Sequence, residues 1–69
     1  MFIVIEIQVG EEVATLVTSY EDRNEAESNY HTVLAYASKS SLKKHSAVML
    51  TEEGYYIKSE CYDHEKEGA

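Results

Sequence analysis

The chain has 69 residues, 13 of them acidic and 6 basic, for a formal net charge of -7 and a pI near 4.7. This length allows one small domain that buries only about 60% of the surface its unfolded form exposes. The acidic balance argues against direct nucleic-acid binding, which replaces counterions with a basic stripe, and permits binding to a basic protein surface. A lone Cys61 excludes an internal disulfide. Its free thiol fits a cytoplasmic setting better than secretion. The apolar start Phe2-Ile3-Val4-Ile5 is broken by Glu6 and lacks a basic flank, so it reads as neither a leader nor a membrane segment. Residues 1–69 are therefore read as a single domain, ordered over about 2–62, with a charged tail at 63–69 that frays.

Residues 2 to 9 are rich in β-branched types and alternate from position 4 on. Ile3, Ile5, Ile7 and Val9 share one face; Phe2, Val4, Glu6 and Gln8 share the other. Gly10 supplies a turn. Residues 13 to 20 form a second strand. A two-residue loop with Gly10 first in a type II′ turn places Ile7 opposite Ala14 and Ile5 opposite Leu16. A three-residue loop pairs Ile7 with Thr15 and Ile5 with Val17, and the slip of one flips the faces of the second strand. The first register is preferred.

Asp22 to about Ser38 reads as a helix capped by Asp22, with Glu25 three residues later to complete a capping box. Ala26, Tyr30, Val33, Leu34 and Ala37 recur at helical spacing and form one apolar stripe. His45 to Thr51 is the third strand. Glu52-Glu53-Gly54 is a hairpin turn with Gly54 suited to the left-handed position. Tyr55 to about Tyr62 is the fourth strand. Thr51 opposite Tyr55 sets Met49 against Ile57 and His45 against Cys61. The expected fold class is α+β, in the order β-β-α-β-β, with one helix packed on a four-stranded antiparallel sheet. Strand orders 2-1-3-4 and 1-2-4-3 both keep neighbours antiparallel.

A single helix covers one face of such a sheet. The covered face is expected to hold Ile3, Ile5, Ile7, Leu16, Met49, Ile57 and Cys61. The opposite face is expected to hold Phe2, Val4, Val17, Val48, Leu50, Tyr56 and Tyr62, with Glu6, Gln8, Lys58 and Glu60 between them. It is then too apolar and too rich in tyrosine for a solvated surface, which marks it as a partner-binding face, with Phe2, Val4, Tyr56, Lys58 and Tyr62 as its contact residues. Chain direction brings Glu21, Asp22 and Glu25 to the same end as Glu52 and Glu53. That acidic end is a second candidate for partner binding. It is equally explained by the preference of acidic residues for a helix N-terminus.

Candidate chemistry is thin. Cys61 with His45 or His64 is the one nucleophile and base combination, and no oxyanion-hole glycines accompany it. Cys61, Asp63, His64 and Glu65 make a weak metal pattern, because a single Cys-x-x-His lacks the paired spacing of structural zinc sites. No catalytic, cofactor or metal residue is assigned, and no cofactor is expected. The reading is a non-enzymatic acidic binding protein with a protein partner. A homodimerising module is the first alternative and a small thiol enzyme using Cys61 the second.

The segments Met1 to Gln8, Arg23 to Leu34 and Leu50 to Tyr62 together resemble small acidic proteins carried by phages and mobile elements of Firmicutes. The hairpin-then-helix start is also similar to HicB-type antitoxins, but the Pro-Asp-Leu-Pro-Gly-Cys stretch expected there is absent. The first resemblance brings no active site. It implies an accessory protein that occludes a protein partner, with inhibition of host defence enzymes, anti-CRISPR activity included, as its most specific form.

Overall fold

The computed structural model describes residues 1–64. Its elements are β1 (Phe2–Val9), β2 (Val13–Tyr20), α1 (Arg23–Lys39), β3 (Lys44–Thr51) and β4 (Tyr56–Asp63). The four strands form one antiparallel sheet in the order β2-β1-β3-β4, with the helix on one side. This is the α+β architecture expected from the sequence, and it selects the first of the two strand orders.

The helix follows its sequence signals. The Asp22 carboxylate accepts the Asn24 N–H at 3.1 Å, which satisfies one of the orphan donors at the helix start. Ala26, Tyr30, Val33, Leu34 and Ala37 are all buried. Ala26, Ala37 and, on β3, Ala47 have no exposed surface at all. These small side chains let the helix backbone approach the sheet closely. Between them, Val4 and Met49 are the largest fully buried side chains of the core.

Leu16, Met49 and Ile57 lie on the helix side as expected, and Val17, Val48 and Leu50 on the open side. β1 and the far part of β4 are turned over, and the first hairpin shows one reason. Val9 pairs with Val13, so Gly10-Glu11-Glu12 is a three-residue loop, with Ile7 opposite Thr15 and Ile5 opposite Val17. Among the described residues only Gly54 has a positive φ, so Gly10 lacks the backbone a type II′ turn requires. Gly10 instead serves a close approach: a Cβ there would lie 3.2 Å from Leu42 Cδ2.

The second hairpin shows another. Gly54 adopts φ 90°, as its turn position demands, and the Thr51 N–H donates to the Tyr55 carbonyl at 2.9 Å. The expected register therefore starts correctly at the turn. A bulge between Met49 and Leu50 then slips it: Met49 pairs with Lys58, and His45 with Tyr62. One extra residue inverts every side chain beyond it.

The helix therefore covers the face of Val4, Glu6, Ala47 and Met49, since Val4 pairs with Met49 and Glu6 with Ala47. Ile3, Ile5 and Ile7, expected beneath the helix, lie on the uncovered face with Val17, Val48 and Leu50. At the C-terminal side β4 extends through Asp63, one residue past the expected strand end. The His64 N–H then donates to the Lys43 carbonyl at 2.8 Å. Residues 65–69 of the expected tail lie outside the described residues.

This assignment of faces has a direct check. Met49→Ala should cost about 2–5 kcal/mol, the range for emptying a fully buried site. Val17→Thr, at a side chain 66% exposed, should change stability by no more than about 0.5 kcal/mol. Urea denaturation of both variants measures the difference, and a comparable loss in the two would contradict the assignment.

Candidate functional site

Of the five residues Phe2, Val4, Tyr56, Lys58 and Tyr62 expected on the open sheet face, the structure turns four toward the helix, whereas Val17, Val48 and Leu50 lie on the open face as expected. Val4 is 1% exposed and belongs to the core. Phe2 packs on the core, with the Arg23 guanidinium 5.9 Å from its ring centroid. Lys58 donates to Glu27 Oε2 at 2.6 Å and lies 4.9 Å from the Tyr30 ring centroid. Tyr62 packs on the core and stacks with the His64 ring, whose Nε2 is 2.8 Å from the Ala37 carbonyl. Tyr56 alone of this set pairs with an open-face residue, Leu50; it is exposed, and its hydroxyl is 3.2 Å from Ser59 Oγ.

The face left uncovered is more apolar than the one expected. β1 contributes Ile3, Ile5, Ile7 and Val9; β2 adds Val13 and Val17, and β3 adds Val48 and Leu50. Thr15, Ser19, Ser46 and Ser59 border this area, and the paired Lys44 and Asp63 mark one end. No described element packs against it. Val17, Val48 and Leu50 lie here as the sequence leads one to expect, whereas Ile3, Ile5 and Ile7 read as core by their unbroken alternation.

The acidic end is assembled as expected. Phe2 pairs with both Tyr20 and Thr51, so the start of the helix and the second turn adjoin. Glu21, Asp22, Glu25, Glu52 and Glu53 are all exposed there. Two have local roles: Asp22 caps the helix, and Glu52 Oε1 is 3.2 Å from the Met1 amino group.

Sequence reasoning missed a third feature. Glu6 and Gln8, read as solvent-facing, lie on the helix side of β1. Glu6 Oε2 accepts the Gln8 amide at 2.9 Å and meets His45 Nε2 at 2.6 Å, with His45 buried. A carboxylate only accepts, so His45 Nε2 carries the hydrogen. His45 Nδ1 is then a buried atom without a partner, least costly as a bare lone pair. Among the described residues Glu6 Oε1 has no donor, and Glu6 lines a groove of about 220 Å³ between α1 and β2 together with Val4, Leu16, Thr18, Asn29 and Val33. Val17 completes the lining, although its place in the register turns its side chain to the other face. The one signal for this site was a pair of polar residues interrupting an apolar strand.

β2 is an edge strand and is exposed at every residue except Tyr20. Its eight residues, Val-Ala-Thr-Leu-Val-Thr-Ser-Tyr, carry no charge and no proline. The other edge, β4, carries Lys58, Glu60 and Asp63 and a bulge. Such charges and bulges are the usual protection of an edge against further pairing; β2 has neither.

The candidate dyad does not assemble with His45. Cys61 is exposed on the open face opposite Ser46, whereas His45 is buried on the helix face. Among the described residues no group of three or more His, Cys, Asp or Glu is placed to hold a metal, and Glu65 lies outside them. No helix among the described residues is long and apolar enough to cross a membrane. Comparison with protein-family models, with curated proteins and with solved structures finds no match to this chain.

Two ionisable groups on the helix side are perturbed. Burial, aided by the Glu60 charge, pushes the Tyr30 phenol up. The hydrogen bond from Lys58 holds the Glu27 carboxyl below its ordinary value of 4.5, with Arg23 and His31 assisting. A depressed carboxyl stabilises the fold above its unfolded value and loses that contribution as pH falls through the folded one. Lys58→Met should therefore lower the urea midpoint at pH 7 and have progressively less effect below pH about 4.5. A pH-independent difference between wild type and variant would contradict this role for the pair.

Proposed function

We propose that this chain is a non-enzymatic binding protein that occludes the surface of a protein partner with its open sheet face. The observation that carries this reading is the choice of face that the helix covers. The more apolar of its two faces is left bare, while the face bearing Glu6, His45, Lys58 and Glu60 is the covered one. Burying apolar area is the main favourable term in folding, so a fold that spends its helix on the mixed face leaves the stronger apolar surface for another molecule. The net charge of -7 and the adjoining acidic end favour a partner whose contact area is rimmed by basic residues. The resemblance to phage and mobile-element accessory proteins gives the most specific form of this reading, an inhibitor of a host defence enzyme. The exposed thiol of Cys61 supports a reducing, cytoplasmic setting.

A second reading, self-association, is favoured by the uncharged edge of β2. Two copies joined edge to edge would satisfy the backbone groups that β2 leaves unpaired.

The experiment places a photo-crosslinking side chain at Val17, on the open face, and at Ser28, on the exposed back of the helix. The first reading expects an adduct from position 17 at the mass of a heterologous protein, absent from position 28 and lost when Ile5→Lys is added. Loss of an anchor at the centre of an interface should weaken binding by about 30-fold or more. Cys61 should also alkylate more slowly in the complex, because it shares the docking face. An adduct at twice the mass of the chain would establish the second reading instead. Equal labelling from positions 17 and 28 would defeat both.

A further inference from the structure

We infer that the groove between α1 and β2 is a seat for a primary alkylammonium group, the side chain of a lysine on a bound protein. This goes beyond the reading above, since the groove opens on the opposite side of the sheet from the apolar face.

The size comes first. At about 220 Å³ the groove is smaller than the roughly 300–1,000 Å³ of sites that enclose drug-sized ligands; it suits one long side chain. The lining comes second. Val4, Leu16 and Val33 give apolar walls, and Glu6, Thr18 and Asn29 give polar groups. Apolar walls beside a carboxylate match a side chain with an aliphatic stem and a cationic head.

The hydrogen-bond count then selects lysine over arginine. Glu6 Oε2 is already occupied by Gln8 and His45, which leaves Oε1 as the oxygen without a donor among the described residues. A guanidinium binds carboxylates best through two parallel bonds to both oxygens, and that mode is blocked. An ammonium is a compact charge with three donors. Glu6, Thr18 and Asn29 bring three side chains with acceptor oxygens to one groove. The pairing of Glu6 with His45 also fixes the carboxylate in advance, so little side-chain order is lost on binding.

The test is an amide-resolved NMR titration of the intact chain with n-butylammonium chloride, with 1-butanol and sodium chloride as controls. Saturable shifts are expected at Val4, Glu6, Leu16, Thr18, Asn29 and Val33, with half-saturation on the order of millimolar. Glu6→Gln should abolish them. Because Glu6→Gln also disturbs a buried pair, Thr18→Val combined with Asn29→Leu provides the second variant, expected to weaken binding about 5-fold or more. A capped Gly-Lys-Gly peptide should shift the same amides, and its norleucine counterpart should not. Equal shifts with butanol, or none at these positions, would overturn the ammonium site. Response to butylammonium without response to the lysine peptide would overturn the assignment to a protein side chain and leave a free amine as the ligand. The apolar face is read out by crosslinking from the other side of the sheet, so each proposal fails by its own measurement.

Discussion

The structure depends on a mismatch of widths. An α-helix with its side chains is about 10 Å across, and strands repeat every 4.8 Å or so. One helix therefore shields about two strands of a sheet that has four. Here it lies chiefly over β1 and β3, the central pair, where Val4, Ala47 and Met49 meet Ala26, Tyr30, Val33 and Leu34. Everything outside that contact follows from the shortage. β2 is left exposed along nearly its whole length, the groove forms where the margin of the helix only partly fills the space over β2, and among the described residues nothing covers the reverse of the sheet.

The same mismatch explains why polar residues occupy the covered face. A face covered only along its middle needs side chains that tolerate a wet margin. Glu6 is tied to His45 and Gln8, and Lys58 to Glu27, while Glu60 stays exposed at the margin. Lys58 does more than pair: its stem and ammonium lie against the Tyr30 ring and close the β4 side of the core. An all-isoleucine face in this position would have left apolar surface in water at both margins. Turned outward, the same stripe is continuous across three strands, the form in which an apolar surface is useful to a partner.

The sequence was most legible where structure is local. The Asp22 cap, the stripe of Ala26, Tyr30, Val33, Leu34 and Ala37, and the left-handed Gly54 depend on neighbours within a few positions, and all are found as expected. The sheet was legible in its parts and in the faces of β2 and β3, where Leu16 and Met49 point to the helix and Val17, Val48 and Leu50 away from it as expected. It was not legible in the faces of β1 and of the far part of β4. A strand alternates equally well either way up, and what decides is a single residue: the third member of the Gly10-Glu11-Glu12 loop, and the bulge beside Met49. The acidic end survived these slips because chain direction, not register, assembles it. The groove was hidden for a further reason. Glu6 and Gln8 announce water in a one-dimensional reading, and only the arrival of His45, 39 positions on, makes their burial acceptable.

The two surfaces are linked by the strand they share. β2 sends Val13 and Val17 to the apolar face and Leu16 and Thr18 to the groove. Being an edge strand, it is where both surfaces reach the rim of the molecule. A protein lying along that edge would meet apolar side chains on one side and the Glu6 carboxylate on the other, with the unpaired backbone of β2 between them. Such an arrangement separates the roles of the contacts. The apolar face supplies area, which is permissive about partner shape, whereas a lone carboxylate oxygen fixed by His45 demands a cation at one position. Discrimination between partners then rests on the buried pair on the helix side, and not on the larger surface that supplies most of the contact.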